Sequence, residues 1–122
     1  MFEKLIDNLI DSFINKNATE VKDNLSKYGL DVVIIGNGEK IVNQYPIKGT
    51  SVNKLDKIFL LSNGDEIKLE DLTNYSYRDF VMYANLINLD YSTSSTIGYV
   101  VSQDVLPGEV VRKDTHVNVE IK

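Results

Sequence analysis

The sequence repeats itself at a fixed offset of 59 positions, and this repeat restricts the fold more than any other feature. Residues 10–63 align with residues 69–122 without a gap. Eight of the 54 aligned pairs are identical: Asn15/Asn74, Leu30/Leu89, Asp31/Asp90, Val42/Val101, Gln44/Gln103, Gly49/Gly108, Val52/Val111 and Lys54/Lys113. Identities at element boundaries and inward positions indicate two copies of one structural unit. We therefore expect unit 1 at residues 10–63, unit 2 at residues 69–122, a flank at residues 1–9 and a short linker at residues 64–68.

Each copy carries the start and end signals of a short amphipathic helix. Asn17 opens a capping box with the glutamate three residues later, and Ser76 can cap the second helix in the same way. An apolar stripe at i, i+4, i+7 follows each cap: Val21, Leu25 and Tyr28 in unit 1, and Phe80, Ala84 and Ile87 in unit 2. Gly29 and Asn88 then end the helices, because these residue types tolerate the left-handed conformation.

Three strands are predicted after each helix, at residues 30–35, 40–45 and 56–61 in unit 1 and at residues 89–94, 99–103 and 115–121 in unit 2. The run Gly36-Asn37-Gly38 is typical of a hairpin turn between the first two strands. Neither a helix nor a sheet can hide its apolar side alone. We therefore predict an α+β fold in which each unit packs one helix on a three-stranded antiparallel sheet. The expected core is Val21, Leu25, Leu30, Val42, Ile58 and Leu60, with Phe80, Ala84, Leu89, Val101, Val117 and Val119 in unit 2.

Charge and composition exclude several classes of function. The formal net charge of −5 argues against nucleic acid, which is bound chiefly by Lys and Arg neutralising phosphates. The chain has no cysteine, which removes disulfides, thiolate chemistry and most zinc sites. The acidic residues near the unit starts lack the regular spacing of a calcium loop. We expect no cofactor, no metal, and no membrane span, since no apolar run approaches the roughly 18 residues that a membrane helix requires.

Two motifs in each copy resemble the PASTA domain family. The family's middle signature, a valine and a glutamine followed by Pro-x-x-Gly, is present at residues 42–49. Residues 101–108 carry the form in which the proline directly precedes the glycine. Residues 10–17 and 69–76 resemble the family's opening motif but lack its proline. Asn15 and Asn74 stand where the family has glycine. Asn tolerates a positive φ, so the geometry of the motif is retained. The resemblance covers residues 9–122.

The resemblance implies where such a chain acts. Paired units of this kind are similar to the extracellular end of a Gram-positive penicillin-binding protein that acts in cell division. The implied role is a non-catalytic accessory module at the extracellular face of the cell membrane, anchored through a parent transpeptidase. Its implied partners are peptidoglycan or muropeptides, the transpeptidase domain itself and division proteins. The alternative is a sensor of a bacterial serine/threonine receptor kinase that responds to muropeptides.

Three residues at the start of the second predicted helix are the candidate ligand site. Tyr75 and Tyr77 flank the cap, and Arg78 follows them. Aromatic rings stack on sugar faces and an arginine holds a carboxylate, and the resemblance implies a muropeptide as the ligand. Packing of these tyrosines inside the protein is the competing interpretation.

Two further patterns suggest catalysis but are assigned to structure. Ser51 and Lys54 have the Ser-x-x-Lys spacing of penicillin-interacting enzymes, yet the other motifs of that mechanism do not converge on them. His116, the sole histidine, aligns with Lys57 on the polar side of the last strand, where we expect a solvated residue. No catalytic residue is therefore predicted, and the chain itself is not expected to be an enzyme.

Overall fold

The structure is a computed structural model and describes residues 9–122. The chain divides between Asp65 and Glu66 into two compact units. Residues of the predicted linker take part in both, since the Asn37 side chain donates to Asp65 and Lys68 bridges Val110. Residues 1–8 of the predicted flank lie outside the described residues.

Each unit has the element order helix–strand–strand–strand. Unit 1 contains α1 (Ala18–Ser26), β1 (Asp31–Ile35), β2 (Ile41–Tyr45) and β3 (Lys57–Ser62). Unit 2 contains α2 (Tyr77–Leu86), β4 (Asp90–Thr93), β5 (Val100–Gln103) and β6 (His116–Ile121). The α+β class, with one helix and three strands in each unit, is confirmed. No helix within residues 9–122 has the length and apolar character needed to cross a membrane.

Both helices start and stop where local chemistry requires. The Asn17 side chain accepts the Glu20 N–H at 3.0 Å, and Ser76 accepts the Asp79 N–H at 3.1 Å. Each cap satisfies one backbone donor that the first helical turn leaves unpaired. Gly29 has φ 81° and Asn88 has φ 55°, which confirms the predicted left-handed ends.

The sheets are mixed, and the predicted all-antiparallel pairing is wrong. In unit 1 the strand order is β1-β3-β2, with β3 parallel to β1 and antiparallel to β2. Unit 2 repeats this arrangement as β4-β6-β5 with the same register. The last strand of each unit enters between the first two, so it pairs on both edges. Because the first two strands run in opposite directions, a third strand placed between them must be parallel to one and antiparallel to the other.

Gly36-Asn37-Gly38 is therefore not a hairpin turn, because β1 and β2 flank β3 and do not pair with each other. The run instead carries the chain across the end of β3. The Gly38 N–H donates to Ser62 Oγ at 3.0 Å. A Cβ at Gly38 would come within 2.4 Å of the Gly64 backbone nitrogen. Glycine is required here by this close approach of two chain segments.

The core lies between each helix and one face of its sheet. In unit 1, Val21, Leu25, Leu30, Ile58 and Leu60 are buried as predicted. In unit 2, Phe80, Ala84, Leu89, Val117 and Val119 are buried as predicted.

Val42 and Val101 are the exceptions, with 48% and 44% of their surfaces exposed. The pairing register of β2 shifts between Ile41 and Asn43, and that of β5 shifts between Val100 and Ser102. Such a bulge turns the neighbouring residue inward. Ile41 and Val100 accordingly take the buried positions.

Candidate functional site

The three predicted ligand residues do not form one surface. Tyr75 is 5% exposed, and its ring packs edge-on against Tyr83 at a centroid distance of 6.2 Å. Tyr77 is half-buried and Arg78 is exposed. The expectation that Tyr75 presents a flat face to solvent is therefore corrected, because its side chain belongs to the core of unit 2. Ligand contact by Tyr77 and Arg78 stays a prediction.

Tyr99 supplies an exposed ring near the start of α2. Its surface is 59% exposed, and the neighbouring Ile97 is 82% exposed. The backbone of Tyr99 bridges that of Ser76, and the Tyr77 N–H donates to Gly98 O at 3.1 Å. The segment before β5, which is distant in sequence, thus places an aromatic residue beside the start of α2.

A glutamine that is identical in both copies holds each unit's opening segment. Gln44 Oε1 accepts the Phe13 N–H at 2.7 Å, while its Nε2 donates to Asp11 O at 2.9 Å and to Pro46 O at 3.0 Å. Gln103 makes the same three bonds in unit 2, with Leu72 N–H, Glu70 O and Val105 O, at 2.8–3.1 Å. The Gln44/Gln103 identity therefore has a structural cause, since a carboxamide can both donate and accept.

His116 is exposed on the polar face of β6, as expected, and belongs to a polar network there. Its Nδ1 lies 2.7 Å from Asp90 Oδ2, and its Nε2 lies 2.9 Å from Ser92 Oγ. The contacts of His116 with Ser92 and Asp90 join β6 to β4, where the two strands pair with each other. Sequence reasoning missed this network because an antiparallel sheet was predicted, whereas the parallel pairing of β4 with β6 brings Asp90 and Ser92 to His116.

The network is unlike a nucleophilic triad in one decisive respect. Nε2 also lies 3.2 Å from the Asn118 carboxamide oxygen. A catalytic histidine needs an unprotonated Nε2 that accepts the serine proton. An acceptor oxygen facing Nε2 favours a proton on that nitrogen and so opposes activation of Ser92.

Ser51 and Lys54 do not form a penicillin-reactive pair. Residues 51–54 form a bridge and a turn, whereas the mechanism requires the Ser-x-x-Lys pattern on a helix. The stem of Lys54 lies over Gly29, where a Cβ would come within 2.7 Å of Lys54 Cγ. Within residues 9–122, no group of three or more His, Asp and Glu side chains is arranged to hold a metal ion.

The chain is accordingly expected to resist acylation. After incubation with a fluorescent penicillin, intact mass should remain that of the unmodified protein, because residues 51–54 are not helical and the Lys54 side chain lies over Gly29. A penicilloyl adduct mapped to Ser51 would contradict this prediction. The Ser51→Ala variant is the matched control for non-specific labelling.

Two shallow clefts of about 430 Å³ each lie in separate units. The cleft of unit 1 is lined chiefly by amide side chains, which are Asn15, Asn17, Asn37 and Asn63. The cleft of unit 2 lies beside the His116 network, with Asp104, Asn118 and Glu120 among its lining residues. Most of the residues that line the two clefts are polar or charged.

Comparison with known proteins assigns the fold. Residues 9–64 match the PASTA domain. No curated protein sequence matches the chain. The structure of penicillin-binding protein 2X from Streptococcus thermophilus is similar over 92% of this chain, with a TM-score of 0.81 and 18% identity. At that identity the likeness shows a shared fold. The chain resembles a tandem pair of PASTA domains.

Two kinase structures from Staphylococcus aureus are more distant. The three-PASTA-domain region of a Ser/Thr kinase has a TM-score of 0.36 and 14% identity over 93% of this chain. The extracellular region of the Ser/Thr kinase PrkC has a TM-score of 0.39 and 15% identity over 91% of this chain. This chain spans 16% of the penicillin-binding protein, 65% of the three-domain region and 45% of the PrkC region.

Proposed function

We propose that this chain, whose residues 9–64 match the PASTA domain and whose unit 2 repeats that fold, is a non-catalytic accessory module of a penicillin-binding protein. The fold that it shares with penicillin-binding protein 2X at a TM-score of 0.81 is the observation that carries this proposal. The parent is then a peptidoglycan transpeptidase anchored in the membrane of a Gram-positive bacterium. The pair lies on the extracellular face and serves septal peptidoglycan synthesis by binding the wall or its precursors, or by supporting the transpeptidase and division proteins.

The start of α2 is the proposed ligand region. Arg78 and Tyr99 are exposed there, and Tyr77 is half-buried. A guanidinium can hold the carboxylate of a muropeptide peptide, and an exposed tyrosine can stack on its sugar. Tyr99 takes the role that sequence reasoning gave to Tyr75.

Binding at this region is expected to be weak. The net charge of −5 provides no long-range attraction for an anionic muropeptide. The contact is also confined to a few exposed side chains. An affinity in the millimolar range, worth about 4 kcal/mol, is therefore expected.

A chemical-shift titration of the whole ¹⁵N-labelled chain with a defined disaccharide-pentapeptide tests the site. Amides of residues 76–79 and 97–100 should shift, and combined substitution of Tyr77, Arg78 and Tyr99 by alanine should abolish those shifts. Unit 1 is the internal control, because it has Ala18 and Thr19 at the positions of Tyr77 and Arg78. Tyr28→Ala, which removes a 40% exposed tyrosine of unit 1, is the matched control variant.

Shifts that persist unchanged in the triple variant would rule out this ligand region. Absence of any shift at millimolar ligand would contradict wall binding and leave support of the transpeptidase as the role of the pair. The alternative parent, a receptor kinase, requires that muropeptide binding bring copies together. Sedimentation velocity with and without ligand tests that alternative, and an unchanged monomer contradicts it.

A further inference from the structure

Both sheets carry a basic side chain beside a carboxylate at the same position. Lys57 Nζ lies 2.5 Å from Asp31 Oδ2 in unit 1, and His116 Nδ1 lies 2.7 Å from Asp90 Oδ2 in unit 2. The two pairs are equivalent by the offset of 59 residues and by strand register. A lysine ammonium stays charged at neutral pH, whereas an imidazole titrates there. Equivalent positions thus carry a lysine in one unit and a titratable imidazole in the other.

The surroundings of His116 favour a proton on both ring nitrogens. Asp90 Oδ2 faces Nδ1, and Asn118 Oδ1 faces Nε2 at 3.2 Å. The orientation of Asn118 is set by Asp104, whose carboxylate accepts the Asn118 side-chain and backbone N–H groups, each at 2.7 Å. A carboxylate and a carboxamide oxygen only accept hydrogen bonds. Both contacts are satisfied together only by the imidazolium form, whose Nε2–H also reaches Ser92 Oγ.

The charges facing His116 act in the same direction. The hydrogen bond to Asp90 on β4 raises the pKa of His116 most, with support from Asn118 on β6 and from the charges of Asp90 and Asp104, while desolvation opposes the rise. The hydrogen bonds from Asn118 lower the pKa of Asp104, which follows β5. These groups come from β4, from β6 and from the segment that follows β5.

We propose that His116 is a pH-operated clamp on unit 2. As the imidazolium it ties the edge strand β4 to the central strand β6, and through Asn118 and Asp104 it ties β6 to the segment after β5. The neutral ring carries one proton, so it gives up one of its two acceptors, and its contact with Asp90 on β4 loses the attraction between opposite charges. The clamp therefore loosens β4 as the pH rises.

The direction of the pH dependence follows from the raised pKa of His116. The folded state binds the proton more tightly than the unfolded state, so the clamp contributes its full stability below the ordinary histidine pKa of 6.5. That contribution disappears as the pH rises through the higher folded-state pKa. Asp104 has a lowered pKa, so its contribution is lost only under acid conditions, as the pH falls from its ordinary value of 3.8 through its folded-state pKa.

The whole chain supplies the experiment, because His116 is its only histidine. An NMR titration of the ring should give a pKa above 6.5, and Asp90→Asn should lower that pKa. Amide hydrogen exchange in β4 should be slower at pH 5.5 than at pH 8.5 once corrected for the intrinsic rate. Exchange in β1 of unit 1 should show no such difference.

Replacing His116 by lysine, the residue at the equivalent position of unit 1, provides the decisive control. His116→Lys should keep β4 protected at both pH values. A His116 pKa at or below 6.5, or one that Asp90→Asn leaves unchanged, would overturn the proposal. The proposal would also be overturned if β4 exchange in His116→Lys, once corrected for the intrinsic rate, still rose between pH 5.5 and pH 8.5.

Discussion

Replacing Leu25 by alanine is expected to lower the free energy of unfolding of unit 1 by about 2–5 kcal/mol. Leu25 lies on the inner face of α1 and is 0% exposed. It belongs to the cluster that includes Val21, Ile58 and Leu60. Truncation removes buried apolar surface and leaves a cavity, and the loss is a large share of the stability of a small domain.

Urea denaturation followed by residue-specific NMR measures the effect in each unit separately. Leu55→Ala is the matched control, because Leu55 is 80% exposed and a surface truncation is expected to change stability by less than about 0.5 kcal/mol. The unit 2 signals should keep the parental midpoint. If Leu25→Ala unfolded with the parental midpoint in unit 1, the inner face of α1 would be wrongly assigned.

Replacing Gln44 by leucine is expected to destabilise unit 1 by about 3 kcal/mol or more, because three backbone partners lose their hydrogen bonds, two of which are buried, at roughly 1–3 kcal/mol each. The partners are the Phe13 N–H and the carbonyls of Asp11 and Pro46. Leucine has a similar volume, so the loss reports the unpaired polar groups and not a cavity.

The repeat offers the control for this substitution. Gln103→Leu removes the equivalent bonds from unit 2 and should leave unit 1 unchanged. Its cost should be smaller, since Gln44 is 6% exposed whereas Gln103 is only half-buried. Equal midpoints for Gln44→Leu and the parent in urea denaturation would show that the glutamine is not needed to hold the opening segment.

Local signals predicted the helices and their ends. A cap, an apolar stripe and a left-handed terminator act within a few residues of one another, so their effect can be read along the chain. Asn15 and Asn74 illustrate this: their φ angles of 68° and 74° confirm that they stand in for glycine. The offset of 59 residues likewise predicted two units of one fold, since the same local pattern gives the same local structure.

Strand order and the polar network required contacts between distant segments. The sequences of β1, β2 and β3 are compatible with a meander, and nothing local states that β3 inserts between the other two. Ile58, Phe59 and Leu60 lie on this central strand and are 0% exposed. The insertion also decides which side chains meet, since the parallel register brings Asp90 to His116.

The sequence by itself determined the two-unit organisation, the helix boundaries and the residue types at the inner faces, because each depends on spacing within one element or on the repeat. Only the tertiary structure decided that Tyr75 is buried, that Tyr99 is exposed and that Val42 lies on a bulge. The burial of a side chain depends on which segment packs against it, and a strand bulge reverses the facing of its neighbours without changing composition. The His116 network arose in the same way, from the parallel pairing of two strands separated by 22 residues.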